Sequence, residues 1–325
     1  MSTDAPGGAR PAAAGDEFAV AAADLLRPFR TLLQPDSATP AERSPEPAPE
    51  GTRQLADSIG HAIDGFWPWV ERTARASGKR VDELHRRAAP PNWVSEGKAD
   101  VDYFAAVRFS LAQGVPLAWV PDPETVKLLL AAHGDEAVSV HAVLDDRREL
   151  ILDHCDSRLD ELDRAPAVSP SVRVAREAIR ALRLDLPSPA QAAATNLIDE
   201  LLRTAFTIVY GGRHSQAKTL SRVQSLSERA HSAGLSFLAS LGILRELATM
   251  MPLLHAMTPW WPESGAPAPT TFSRHVTSHF ITAPGQVTPT NALVAVLTAV
   301  SLLSQEHDSR WGTWKIMNAL DTGRP

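Results

Sequence analysis

Asn291-Ala-Leu-Val-Ala-Val-Leu-Thr-Ala-Val-Ser-Leu-Leu303 is the most apolar run of the chain, and Thr271-Phe-Ser-Arg-His-Val-Thr-Ser-His279 precedes it across a short connection. Thr288-Pro289 before the run is a helix start, a capping hydroxyl followed by a proline that needs no amide partner. Leu293, Val296, Leu297, Val300 and Leu303 recur at helical spacing and make a core stripe. The run is 13 residues long, too short to cross a bilayer. The reading is a core helix, with Pro284-Gly285 as the turn that leads into it.

The stretch in front of that helix carries the chemistry. Arg274 and His279 are five positions apart, and His275 directly follows the arginine. A guanidinium holds phosphate oxygens through paired N–H groups, and an imidazole moves protons near neutral pH. Ribose-phosphate cleavage needs those two functions and little else.

The order of apolar helix, loop, Arg-His-x-x-x-His, turn and apolar helix resembles the C-terminal half of a HEPN domain, over roughly residues 190–307. HEPN domains are all-helical bundles whose signature is Arg, four to six residues, then His, often with a polar residue after the Arg. Arg274, His275 and His279 fit this signature. Phe280 departs from it, since many members carry Gly there. The resemblance implies a metal-independent endoribonuclease in which the ribose 2′-OH attacks the adjacent phosphorus and leaves a 2′,3′-cyclic phosphate. His279 would be the general base or acid. Arg274 would hold the phosphate, and His275 would orient Arg274 or donate to the phosphate. It further implies RNA as substrate and a homodimer that brings two motifs together, because one imidazole cannot be acid and base at once. A toxin, stress or phage-defence setting, with an antitoxin or other protein partner on the N-terminal region, follows from the same likeness. No cofactor and no metal is implied.

Composition sets the outer limits. The chain has 325 residues, 6% aromatics and an abundance of Ala and Leu without alternating β-branched runs, which favours an all-α fold. Its one cysteine, Cys155, fits a reducing, cytoplasmic compartment, and no secretory leader is read at the N-terminus. Net charge is −6, yet Arg203 to His279 holds seven basic residues against three acidic ones. That local surplus would attract phosphates.

Taken in order, residues 1–54 read as a Pro-rich tail with one short amphipathic helix, and residues 55–187 as a helical domain of unknown role. Residues 188–308 read as the HEPN-like bundle, and 309–325 as a tail. Trp67 and Trp69 form an aromatic knot. Helices are expected at Val101–Ala112, Glu124–Ala132 behind Asp122-Pro123, Ala137–Leu162, Ser169–Leu184 and Pro189–Val209, and one at Leu235–Met251 ends at Pro252. Val138, Val143, Leu150, Leu159 and Leu162 are the expected core of the long Ala137–Leu162 helix. Asp153-His-Cys-Asp156 has metal-ligand residue types without metal-ligand spacing. Trp260 and Trp261 begin a Pro-rich loop and are read as packing over the bundle end, with base stacking as the functional option. No phosphate loop of the Gly-x-x-x-x-Gly-Lys type and no Gly-x-Ser-x-Gly elbow occurs.

Other readings of the motif stand beside the nuclease. Arg274 and His279 would serve as structural caps, or His275 and His279 at i, i+4 would share a zinc with Glu263 or His255. The bundle would otherwise bind RNA or nucleotide without cutting it, or act as a protein-interaction scaffold.

Overall fold

The computed structural model describes residues 89–95, 98–134, 138–165, 168–210, 245–246, 248–257, 260–280 and 282–309. The expected N-terminal tail, the Trp67/Trp69 knot, most of the Leu235–Met251 helix and the C-terminal tail lie outside these residues. The regular structure of the described part is helical apart from one two-rung antiparallel ladder, β1 (Val94–Ser95) with β2 (Lys98–Ala99). Helices follow as α1 (Tyr103–Gln113), α2 (Pro123–His133), α3 (Val140–Asp146), α4 (Arg148–Leu162), α5 (Ser169–Arg183) and α6 (Pro187–Tyr210). The short α7 (Leu253–Ala256) and α8 (Arg274–His279) then lead to α9 (Pro289–Ser309). Among the described residues no helix is long and apolar enough to cross a membrane.

Helix α9 is the axis of the bundle. Every residue from Thr290 to Gln305 is buried, so the expected stripe of Leu293, Val296, Leu297, Val300 and Leu303 is one side of a helix covered all round. It packs along α6 and also touches α3, α4 and α5. Its start is as expected, with the Thr288 hydroxyl accepting the Asn291 N–H at 3.0 Å. Polar side chains on so buried a helix need partners, and the surrounding layer supplies them. Thr290 donates to Asp145, Ser301 to the Ala118 carbonyl, and Gln305 accepts from Trp119 and Thr249. Ser304 accepts from Arg158 at 3.0 Å.

Residues 114–121 cross this core without regular structure, and all of them are buried. Buried backbone outside helices must find side-chain partners, and Asn92 provides several. Its Nδ2 donates to the carbonyls of Leu117 and Pro121 at 2.9 and 2.8 Å, and its Oδ1 accepts the Trp119 N–H at 2.8 Å. These bonds hold Trp119 at φ 71°, a left-handed conformation that costs a bulky side chain energy. The Arg158 and Arg245 guanidiniums approach its ring, 4.9 and 5.9 Å from the centroid.

Two expectations change. The helix read over Ala137–Leu162 divides into α3 and α4 at Arg147, whose φ of −95° and ψ of 6° leave helical geometry. With that break, Val138 and Leu150 are exposed rather than in the core, whereas Leu159 and Leu162 are buried as expected. The acidic face of α4 is instead paired with α5. Arg183 reaches Asp153 and Asp156, and Arg176 reaches Asp160 and Asp163. Asp153 and Asp156 are thus ion-pair partners, and Cys155 between them is buried. The turn before Pro187, where the sequence divides the chain, joins two helices that pack along each other.

Gly114 ends α1 at φ +67°, and a Cβ there would sit 2.8 Å from the Cβ of His255. Gly285 has φ +73° with open space around it. Gly114→Ala is expected to lose about 2–4 kcal/mol in a denaturant melt, and Gly285→Ala about 1 kcal/mol, because only the former adds a steric clash to the φ cost. Equal losses would place His255 elsewhere.

Candidate functional site: the Arg274–His279 helix

The motif forms α8, a helix of six residues. Ser273 starts it, extended at φ −126° and ψ 118°, with its hydroxyl accepting the Val276 N–H at 3.2 Å. Phe280 leaves helical geometry at φ −138° and ψ 44° and ends it. Within so short a helix the side chains divide by periodicity. Val276 and Thr277 are buried, Arg274 turns to α6, and His275 and His279 share another side.

A buried amide network holds the helix in place. The Gln286 side chain accepts the Ser273 N–H at 2.8 Å and donates to the Pro269 and Thr271 carbonyls at 2.8 and 3.1 Å. Asn291, at the start of α9, donates to the Thr270 and Gln286 carbonyls, each at 3.0 Å. Gln191 of α6 donates to Thr277 at 2.7 Å, and Thr277 in turn donates to the Ser273 carbonyl at 2.7 Å. All but the Thr277–Ser273 bond span different elements, so α6, α8, α9 and the loop before α8 are tied together. A buried amide that loses such partners costs about 1–3 kcal/mol.

Arg274 is clamped by a residue the sequence reading did not single out. Its Nε and Nη2 donate to Oδ1 and Oδ2 of Asp199 on α6 at 2.7 and 2.6 Å. Both side chains are about one-fifth exposed, at 21% and 20%. A fork-to-fork pair fixes the guanidinium plane as well as its charge. Asp199 occupies the Nε/Nη2 edge only. Among the described residues no hydrogen bond reaches Nη1. The expected cationic field is smaller than the residue count implies. Of the basic residues counted there, Arg203 pairs with Glu200, Arg245 with Asp308 and Arg274 with Asp199. The rest lie outside the described residues.

The two imidazoles differ in setting. His279 is exposed, at the open end of α8. His275 is half-buried, with its ring 4.8 Å from Trp261, 5.0 Å from His279 and 5.8 Å from Phe280, centroid to centroid. Burial holds its pKa below the usual 6.5, the neighbouring His279 and Arg274 push the same way, and a hydrogen bond to the Trp260 backbone opposes them. Its Nε2 is buried without a partner. His275 is therefore a neutral ring wedged under the loop, and His279 is the imidazole a ligand can reach. Among the described residues no group of three or more His, Cys, Asp or Glu stands ready for a metal.

Arg274 and His279 thus share one short helix, the guanidinium held by Asp199 and the imidazole exposed. No protein-family model, curated protein or solved structure matches this chain.

The histidines also predict a pH response. His154 and His255, like His275, are held below their usual value chiefly by burial. The unfolded chain then takes up these protons first, so their contribution is present above pH 6.5 and is lost progressively as pH falls below it. Denaturant melts across that window are expected to show declining stability, with a shallower slope in His275→Gln. An identical slope in that variant would mean His275 protonates as freely folded as unfolded.

Proposed function

We propose that α8 carries the centre of a HEPN-type, metal-independent endoribonuclease. The observation that supports this most is the held guanidinium of Arg274. Asp199 holds that guanidinium in a fixed plane on the same short helix that ends in the exposed His279.

In this reading Arg274 binds the non-bridging oxygens of a phosphodiester and stabilises the charge that builds there. Asp199 is a positioning residue, keeping the guanidinium plane oriented before substrate arrives. His279 takes the proton of the ribose 2′-OH, whose oxygen bonds to phosphorus as the bond to the 5′-oxygen breaks. The products are a 2′,3′-cyclic phosphate and a 5′-hydroxyl, and the departing oxygen needs a proton. His275 is too enclosed to supply it, so the acid comes from a second copy of the motif in a homodimer. A defence or toxin setting, with a partner that restrains the activity, belongs to the same reading.

A second reading has its own observation. The Arg274–Asp199 pair joins α6 to α8, as a structural clamp would, and a bundle of this kind would bind RNA or a protein partner without cleaving.

RNA cleavage in EDTA separates them. The nuclease reading predicts cyclic-phosphate ends from the wild type, and a loss of about 10²–10⁴-fold in His279→Ala and in Arg274→Ala with folding intact. Equal cleavage by His279→Ala would remove the mechanism. Activity that disappears in EDTA alone would point instead to His275 and His279 as a metal pair.

A further inference from the structure

The two tryptophans at the start of the 260–269 loop have different environments. Trp260 is partly buried, its Nε1 donates to the Ala266 carbonyl at 3.0 Å, and its ring meets Phe280 edge-to-face at 5.7 Å. Trp261 is 54% exposed. Its ring meets His275 at 4.8 Å and Phe280 at 5.9 Å, both edge-to-face.

An indole left open is a large apolar surface that the fold has not covered. This one is also anchored through its backbone. The Trp261 carbonyl accepts from the Ser264 N–H at 3.1 Å and the Ser264 hydroxyl at 2.6 Å, and that hydroxyl accepts the Ala266 N–H at 3.3 Å. Gly265 closes the turn at φ 71°, where a side chain would be strained. A ligand that lands on this ring therefore orders little that is not already ordered. Two ring contacts of 4.8 and 5.0 Å lead from Trp261 through His275 to the exposed His279. Arg274, beside His275 in sequence, adds a positive charge to the same helix.

We propose that Trp261 is a base-stacking platform, and that the site takes single-stranded RNA with one unpaired base on the indole and the adjoining phosphodiester at Arg274 and His279. Every base has a π-face, so the platform selects strandedness more than sequence. Bases inside a duplex are already stacked on each other and cannot reach it. His275 is the packing piece that holds the platform and the reactive imidazole at a fixed separation. This inference rests on the ribonuclease reading for the role of the phosphodiester, but its binding component can be measured alone.

The test uses the full chain and a fluorescein-labelled 2′-O-methyl oligoadenylate, which cannot be cleaved through its 2′ position. Fluorescence anisotropy is read with the single strand and with the same strand annealed to its complement. Trp261→Ala is expected to weaken single-strand binding about 5- to 100-fold, and Trp261→Phe to recover most of that loss. Duplex binding is expected to be weak and unchanged by either variant. With unmodified RNA, Trp261→Ala should raise KM far more than it lowers kcat. Unchanged single-strand affinity in Trp261→Ala, or an equal loss with duplex, overturns the platform. So does a loss of self-association at constant RNA affinity, which would make Trp261 a contact between copies. Trp261-dependent binding with no cleavage of any RNA would sink the nuclease and leave the platform. His279-dependent cleavage with a Trp261→Ala affinity equal to wild type would do the reverse.

Discussion

The structure depends on covering α9 from every side. A helix whose residues from Thr290 to Gln305 are all buried cannot stand at a surface, so other elements must enclose it. Helices α3, α4, α5 and α6 do so, and the irregular 114–121 segment, whose Trp119 ring is met by two arginines, lies against it as well. The apolar surface removed from water is the driving term. The polar residues of α9 set orientation, since Thr290, Asn291, Ser301, Ser304 and Gln305 each bond to a different neighbour.

The candidate site follows from that enclosure. Asn291 at the start of α9 and Gln286 before it fasten the loop that delivers α8, and Gln191 fastens α8 from the opposite side. What remains at the rim is selective. Val276 and Thr277 point inward, Arg274 is clamped by Asp199, His275 is wedged under Trp261, and His279 is exposed. A site built this way is rigid before any ligand binds, which is the condition for electrostatic stabilisation without reorganisation.

Much of the helical frame was legible because its signals are local. Asp122-Pro123 caps α2, with Asp122 accepting the Thr125 N–H at 3.0 Å, and Ser169-Pro170 opens α5. Thr288-Pro289 opens α9. The break at Arg147 carries neither proline nor glycine, so periodicity ran through it and misplaced Val138 and Leu150. Asp199 was missed for a different reason. It lies 75 positions from Arg274, and no local spacing reports a pair so distant. A weaker signal existed, since Gln191 and Asp199, eight residues apart and so on one side of α6, are the two residues that bond to α8. The two tryptophans of Trp260-Trp261 were also inseparable by sequence, because their different exposure depends on where Phe280 and Ala266 come to lie.

If Asp199 holds Arg274 to meet an anion, exchanging the two charges should separate that role from simple fastening of α8 to α6. The double variant Asp199→Arg/Arg274→Asp keeps an ion pair between α6 and α8 and moves the guanidinium off the motif helix. Its thermal midpoint is expected to lie nearer to wild type than that of either single variant, together with complete loss of RNA cleavage. Cleavage at the wild-type rate by the double variant would contradict that role, and would make the pair a fastening between helices and nothing more.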